Sequence, residues 1–318
     1  MHVVSRVEME RTQMMTDPTI DFGALETEKR NPATSAIDQM SALEIAQVMN
    51  VEDATVAVAV QRELPHIARA IEGITARLRQ GGRLVYMGAG TSGRLGVLDA
   101  SECPPTFSMQ PEQVVGWIAG GPDALTRSIE GAEDSPEAGQ VDAARLGIAA
   151  ADAVVGIAAS GRTPYVLGAV GYAKEQGALT VGLACNAGTP LGQATDIMIA
   201  PVVGPEVIGG STRLKAGTAQ KMVLNMLSTG AMILLGKTYG NLMVDMQPTN
   251  DKLRRRAVVI VREATGLRAS AAEALLHASD NNVKTAIVAA LAGIDPVAAR
   301  DRLTAAGGVV RAALAGGR

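Results

Sequence analysis

The stretch RLVYMGAGTSGR at residues 83–94 decides the fold of this chain. Residues 83–87 form a short apolar run that predicts a buried strand, and the turn GAGTSGR at residues 88–94 leads into a helical pattern. The turn has the G-x-G-x-x-G spacing of dinucleotide-binding loops, in which N–H groups at a helix start bind a phosphate. Taken alone, this spacing is also that of a tight strand–helix turn without a ligand.

A dinucleotide-binding fold would need an acidic side chain about 20 residues later, at the end of the second strand. The second apolar run, residues 114–119, ends in Gly120 and Gly121, and the nearest acid beyond it is Asp123. A dehydrogenase is therefore disfavoured. The hydroxyl groups of Thr91 and Ser92 are better suited to a phosphate monoester.

Short apolar runs like the first recur along the chain and alternate with helix-length segments. They occupy residues 114–119, 153–159, 179–185 and 197–202. This alternation predicts an α/β protein with a doubly wound, five-stranded parallel sheet and right-handed crossovers. If the strand order begins 2-1-3, the loops after strands one and three lie side by side, where such sheets bind ligands.

The loop after the third strand carries a second set of hydroxyl groups. Residues 159–164 read ASGRTP, so Ser160 and Thr163 flank Gly161 and Arg162 at a predicted helix start. Such a loop can direct hydroxyls and free backbone N–H groups at one anion. One Ser-rich turn would be ordinary helix capping, but two such loops predict a phosphosugar site.

Two acidic segments follow these loops in the sequence. Residues 98–105 read LDASECPP, and the Pro-Pro pair is expected to end any helix, so Glu102 would lie at a turn close to the first loop. Residues 130–135 read EGAEDS and place Glu133 between strands two and three. Two carboxyl groups in one pocket can act as general acid and general base, although each alone is an ordinary surface acid. Cys103 has no histidine near it in sequence and is interpreted as a small buried thiol.

Four segments are predicted along the chain. Residues 1–24 are an N-terminal extension without periodicity, for which disorder is one interpretation. Residues 25–80 are predicted to be helical. Asp53 is the predicted N-cap of the second helix in this segment, and Gly81 and Gly82 end that helix. Residues 81–250 form the sheet domain, and residues 251–318 a small all-α domain. A long helix is predicted over residues 211–235, and its apolar residues on several faces favour a homodimer.

Composition excludes several classes of protein. The chain has 318 residues, a net charge of −3 and only 2% aromatic residues, which disfavours a nucleic-acid-binding protein. No apolar run reaches 18 residues, and Glu8, Glu10 and Arg11 lie where a secretory signal would be apolar. Two cysteines and three histidines provide neither a disulfide framework nor an ordinary zinc site. We expect a cytoplasmic enzyme without membrane attachment, metal or redox cofactor.

Five motifs of the chain together resemble those of the N-acetylmuramic acid 6-phosphate etherases. The resemblance runs from about residue 25 to the C-terminus and leaves residues 1–24 outside. The motifs are TEKRNP at residues 27–32, GAGTSGR at 88–94, DASECPPT at 99–106, EGAED at 130–134 and STRLKAGTAQK at 211–221.

This resemblance implies a sugar isomerase (SIS) domain of flavodoxin-like strand order, a small C-terminal helical domain and a homodimer. It implies that the lactyl ether of N-acetylmuramic acid 6-phosphate is cleaved to N-acetylglucosamine 6-phosphate and D-lactate, a lyase reaction of cell-wall amino sugar recycling that needs no cofactor. The matching positions make Glu102 the acid that assists lactate departure and Glu133 the base. The expected substrate- and phosphate-binding residues are Thr91, Ser92, Gly93, Ser160, Gly161, Arg162, Thr163 and Lys215.

Two other functions stay open at this point. An isomerase or deaminase acting on a 6-phosphosugar usually needs a ring-opening histidine, but His2, His66 and His277 all lie outside the central domain. A sugar-phosphate sensor that binds another protein would need the phosphate loops alone. The presence of both Glu102 and Glu133 therefore favours the enzyme.

Overall fold

The computed structural model describes residues 25–246 and 251–316, so the predicted extension over residues 1–24 lies outside the described residues. All five predicted strands are confirmed, and they form one parallel sheet of order β2-β1-β3-β4-β5. The order begins 2-1-3, as the ligand-binding hypothesis requires. The strands are β1 (Leu84–Gly88), β2 (Val114–Ile118), β3 (Ala153–Ile157), β4 (Leu179–Leu183) and β5 (Ile197–Ile199).

Helices cover both faces of the sheet, which is why β1 and β3 are apolar and buried at every position. The helices α3, α4 and α8 pack on one face, and α5 and α6 pack on the other. The helices are α1 (Ala42–Asp53), α2 (Val56–Arg62), α3 (Leu64–Arg79), α4 (Gly90–Phe107), α5 (Pro136–Arg145), α6 (Pro164–Glu175), α7 (Pro190–Ala194), α8 (Lys215–Leu234), α9 (Asp251–Thr265), α10 (Ala269–Ala278), α11 (Val283–Ala292), α12 (Pro296–Ala305) and α13 (Val310–Ala315).

The N-terminal helices differ from the prediction at one boundary. Asp53 is the last residue of α1 and not the N-cap of the next helix. Helix α1 begins instead at a capping box, in which the Ser41 hydroxyl accepts from the N–H of Glu44 and the Glu44 carboxylate accepts from the N–H of Ser41. Gly81 has a φ of +82° just after α3, which agrees with the predicted helix end.

The Pro-Pro pair does not end helix α4, so that expectation is wrong. Pro104 and Pro105 lie inside the helix, which continues to Phe107 and ends where Ser108 adopts a φ of 49°. The fixed φ of proline suits a helix, and the prolines forfeit only two hydrogen bonds in its last turns. Burial of Cys103 and Phe107 against the sheet keeps this segment helical.

The long helix α8 begins at Lys215, four residues later than predicted. Residues 211–214 form turns, and the buried Glu206 carboxylate accepts from the N–H groups of Lys215 and Ala216, both at 2.9 Å. Gly236 has a φ of +74° and ends the helix, as predicted. The apolar faces of α8 contact α2, α3 and α4 of the same chain, so they no longer argue for a dimer.

The C-terminal helices α9 to α13 enclose an apolar core of their own, which begins at Val244 and ends at Ala313. This core includes Val244 and Met246, which precede residue 251, where the small all-α domain was predicted to begin. The division of the chain into four segments stays a prediction. Among the described residues, no helix is both long and apolar enough to cross a membrane.

Candidate functional site

The loops after β1 and β3 lie side by side at the carboxyl edge of the sheet. Gly88 pairs with Ile157 in the β1–β3 register, so the two loops leave the sheet at the same level. Gly93 permits the first loop to turn closely, since a Cβ there would lie 2.7 Å from the Gly88 carbonyl oxygen. Gly161 has a φ of +68° and packs against Thr189 with no room for a side chain.

The backbone N–H groups at the N-terminus of α4 are not capped by a side chain. This helix of 18 residues has neither a capping side chain nor an acid in its first turn, where Thr91 and Ser92 lie. By contrast, α5 is capped by Ser135, and α7 by Thr189. The first N–H groups of a helix have no partner within it and carry its positive dipole end, so this end of α4 suits a phosphate.

The second loop offers hydroxyls more than backbone amides. The Ser160 hydroxyl oxygen accepts from the N–H of Arg162 at 3.2 Å and so keeps its proton to donate, and Thr163 makes no capping bond to α6. The predicted free N–H groups are partly used, because Gly161 donates to Ala158 and Tyr165 donates to the Glu133 carbonyl. Hydroxyl donors therefore dominate this half of the site.

The two arginines of the loops have different roles. The guanidinium of Arg94 donates to the carbonyl oxygens of Leu125 and Arg127, at 3.1 and 2.9 Å, and so fastens the segment after β2. The Nε of Arg162 is buried without a hydrogen-bond partner among the described residues. Of the two, Arg162 is the cation left for a bound anion.

Glu133 lies beside the second loop. Its carbonyl oxygen accepts from the N–H of Tyr165 in the first turn of α6, at 3.0 Å. Its side chain is exposed in the turn that precedes α5. The fold therefore returns this acid to the edge where Ser160 and Thr163 lie, as the sequence predicted.

Glu102 does not lie near the first loop, so this part of the prediction is wrong. It is exposed within α4, twelve residues past Gly90, which corresponds to about 18 Å along the helix axis. Helix α4 starts at the carboxyl edge of the sheet and returns to the opposite edge, where β2 begins. Within one chain, Glu102 is therefore carried away from Glu133 and from both phosphate loops.

A buried polar cluster lies beneath Glu102. The Asp99 carboxylate, 5% exposed, accepts from the Tyr86 hydroxyl at 2.9 Å, and burial raises the pKa of this aspartate. Burial likewise raises the pKa of Cys103 to about 12, which keeps it a thiol at neutral pH. This agrees with the interpretation of Cys103 as a packing residue.

Lys215 is buried, and its ammonium group lies 2.6 Å from the Glu52 carboxylate of α1. Its charge is therefore balanced by another side chain of the protein. The Glu206 carboxylate that caps the same helix is fully buried, and this burial raises its pKa, while the N–H groups of Lys215 and Ala216 act to lower it.

Sequence reasoning missed Asn186, which joins the TEKRNP motif to the second loop. Its side-chain oxygen accepts from the N–H of Glu26 at 2.9 Å. Its amide group donates to the Thr27 hydroxyl at 3.1 Å and to the carbonyl of Ala159, next to Ser160, at 3.0 Å. Its place directly after a predicted strand end was the available signal.

Comparison with known proteins gives near-complete matches. A protein of Pectobacterium atrosepticum named N-acetylmuramic acid 6-phosphate etherase is 54% identical over 303 residues, 95% of this chain and all of the relative. Proteins of the same name from Salmonella agona and Rhodopirellula baltica are 55% and 57% identical, over 93% and 88% of this chain and 99% and 92% of their own lengths. The chain belongs to the N-acetylmuramic acid 6-phosphate etherase family.

Two family models match parts of this etherase-family chain. The SIS domain matches residues 132–230, and the glucokinase regulatory protein N-terminal SIS domain matches residues 66–174. Together they span the sheet and both phosphate loops. With the order β2-β1-β3-β4-β5, the fold is an SIS-type, flavodoxin-like doubly wound sheet with additional helices.

Proposed function

We propose that this protein cleaves the lactyl ether of N-acetylmuramic acid 6-phosphate, giving N-acetylglucosamine 6-phosphate and D-lactate. The observation that carries this proposal is the identity of 54–57% over 88–95% of the chain to relatives of that name. The paired loops supply the phosphosugar site that such a substrate needs. Both cysteines are free and buried, which suits the reducing cytoplasm, where cell-wall amino sugars are recycled.

In this proposal the phosphate lies between the N-terminus of α4 and the loop after β3. The N–H groups of the first turn of α4 and the hydroxyls of the second loop donate to its oxygens, and Arg162 balances its charge. Gly93 and Gly161 allow the backbone to approach closely. The subsite consists of Thr91, Ser92, Gly93, Ser160, Gly161, Arg162 and Thr163.

The chemistry requires one base and one acid. In the ring-opened sugar the C1 aldehyde acidifies the C2 proton, which Glu133 removes. The electron pair forms the C2–C3 double bond while the C3–oxygen bond breaks, and Glu102 donates a proton to the departing lactate oxygen. Water then adds at C3 and a proton returns to C2. Each proton transfer contributes about 10²–10⁴-fold.

We infer that the site is completed by a second copy of the chain. Glu102 lies about 18 Å along α4 from the first phosphate loop, farther than a hexose phosphate reaches, and it is exposed. Glu133, in contrast, adjoins the second loop. If both carboxylates act on one sugar, Glu102 must come from the partner subunit of a homodimer.

The surface that suits such a dimer includes α1. Helix α1 has no buried residue in the single chain, and its apolar residues Leu43 and Val51 are 68% and 66% exposed. Its Glu52 is bound to Lys215 beside the N-terminus of α8, so the helix lies next to the sheet domain. Burial of these apolar residues against a second copy gives the helix the packing it lacks. We propose that Lys215 contributes to the site by fixing α1 in this place.

The direct test is incubation with N-acetylmuramic acid 6-phosphate while D-lactate and N-acetylglucosamine 6-phosphate are measured. We expect equimolar release of both, and slow reaction of unphosphorylated N-acetylmuramic acid, because that compound lacks the group that the two loops bind. Binding of the phosphosugar without release of D-lactate would overturn the proposal.

The match to a regulatory protein's SIS domain favours one alternative, a phosphosugar sensor. A sensor needs the phosphate subsite but neither carboxylate. Its signature would be unchanged phosphosugar binding in Glu102→Gln and Glu133→Gln, with no D-lactate released by any form of the protein.

A further inference from the structure

A buried glutamine on α8 lies behind the first phosphate loop. Gln220 is only 1% exposed, and its side-chain oxygen accepts from the Ser92 hydroxyl at 3.0 Å. The Nε2 group of the same carboxamide has no hydrogen-bond partner among the described residues. Buried amide groups without a partner are rare, so this one calls for an explanation.

The hydrogen bond between the two side chains uses the hydroxyl proton of Ser92, which a bound phosphate would need. The Ser92 hydroxyl donates a hydrogen bond to Gln220. The Ser160 hydroxyl instead accepts a hydrogen bond from a backbone N–H, so its own proton is free to donate. A phosphate monoester offers acceptor oxygens and requires donors. Ser92 can therefore serve a phosphate only when its proton is released from Gln220.

A half-turn of the Gln220 carboxamide provides this release. The spare Nε2 group then donates to the Ser92 oxygen, and the Ser92 hydroxyl turns its proton to the anion at the N-terminus of α4. A carboxamide can play both parts because it carries a donor and an acceptor on one carbon.

We propose that Gln220 is a positioning residue of the phosphate subsite, which switches Ser92 from donating to the protein to donating to the bound phosphate. The inference rests on the phosphate subsite of the proposed function. It assigns no chemical step to Gln220, so its effect should fall on phosphate affinity.

The experiment measures binding of inorganic phosphate by calorimetry and of the phosphosugar through KM, in the wild type, Gln220→Met, Ser92→Ala and the double variant. We expect Gln220→Met to weaken phosphate binding and raise KM about three- to tenfold, with kcat within about twofold, because the Ser92 hydroxyl loses the Nε2 donor that turns its proton toward the phosphate. Because Gln220 acts through Ser92, the double variant should bind phosphate no more weakly than Ser92→Ala alone.

Ser228→Ala is the matched control, since it removes another buried polar group of α8 and should leave phosphate affinity unchanged. Should Gln220→Met fail to fold, Gln220→Glu keeps the shape and the bond accepted from Ser92. Once its carboxyl is ionised it cannot donate to Ser92, so it should weaken phosphate binding increasingly as the pH is raised.

The proposal is overturned if the substitutions at Gln220 and Ser92 weaken binding by factors that multiply, or if both Gln220 variants bind phosphate as the wild type does. Absence of phosphate binding by the wild type would also overturn it. Calorimetry with inorganic phosphate does not depend on catalysis, so a protein that binds phosphate but releases no D-lactate would contradict the proposed function alone.

Discussion

The roles proposed for Glu133 and Glu102 are separable, and isotope exchange at C2 distinguishes them. In deuterated water we expect Glu133→Gln to abolish exchange of the C2 proton, because the base is missing. Glu102→Gln should stop D-lactate release yet still permit exchange, because only protonation of the leaving oxygen is lost. Exchange of C2 at the wild-type rate in Glu133→Gln would show that another group is the base. Proton NMR of the recovered substrate reports both outcomes.

Ser160 is expected to act in binding and not in the reaction. The hydroxyl proton of Ser160 is free to donate to the proposed phosphate, which is remote from C2 and C3 of the sugar. Ser160→Ala should therefore raise KM on the order of tenfold and change kcat little. Ser270→Ala, an exposed serine of α10, serves as the control with unchanged constants. Steady-state kinetics would contradict the assignment if kcat fell while KM stayed constant.

The local residues of the site could be predicted from sequence, and the position of Glu102 could not. Ser160, Gly161 and the GAGTSGR turn follow directly from strand ends, so their spacing alone places them at one edge of the sheet. The place of Glu102 depends on whether Pro104 and Pro105 break the helix, and that was decided by burial of Phe107 against distant residues. Gln220 belonged to a recognised motif, but its contact with Ser92 spans 128 residues of sequence.

At the level of elements, one ion pair joins the starts of β1 and β3. The Asp152 carboxylate accepts from the Arg83 guanidinium at 2.6 and 3.1 Å, from the N–H of Arg83 at 2.9 Å and from the N–H of Ala149 at 3.1 Å. Burial of Asp152 would raise its pKa, but these hydrogen bonds outweigh burial and lower it. A lowered pKa means that the ionised aspartate stabilises the fold above its ordinary value of about 3.9, and that this contribution is lost as the pH falls below it.

We therefore expect Asp152→Asn to reduce the free energy of unfolding at pH 7 by about 1–3 kcal/mol, because hydrogen bonds to a charged group are weakened. The difference from the wild type should shrink as the pH falls below about 4, where the wild-type aspartate is protonated as well. Urea denaturation at several pH values measures both. Asp251→Asn, which breaks an exposed pair with Arg254, should change stability by less than about 0.5 kcal/mol. A loss that stayed constant with pH would contradict this explanation.

Strand positions were predictable because a parallel sheet covered on both faces needs continuous apolar runs, and each run marks one strand. Helix boundaries were less predictable from the sequence than strand positions. The start of α8 depends on Glu206, which lies nine residues before Lys215 and reaches its N–H through a fold that no local pattern reveals.

For the whole molecule, helix α1 is exposed in the single chain, and a dimer would bury its apolar residues. We expect Val51→Asp to shift the molecular mass in solution from dimer toward monomer, because a charge cannot be buried in an apolar interface. Val297→Asp is a matched control, since Val297 of α12 is also 66% exposed and lies in the C-terminal helical region. Light scattering measures both. A wild type that is monomeric while active would contradict the dimer, and a dimeric Val51→Asp would place the interface elsewhere.

In the proposed dimer, one active site takes Glu133 from one subunit and Glu102 from the other, and mixing two inactive variants tests this sharing most directly. Glu102→Gln and Glu133→Gln are each expected to release no D-lactate. In a dimer with shared sites, a mixed pair has one site with both substitutions and one site with none. Random reassociation of the two variants should therefore restore about a quarter of wild-type D-lactate release, since about half of the dimers are mixed and half of their sites are intact. If mixed dimers are shown to form and their D-lactate release stays as low as that of the two single variants, the shared site is contradicted.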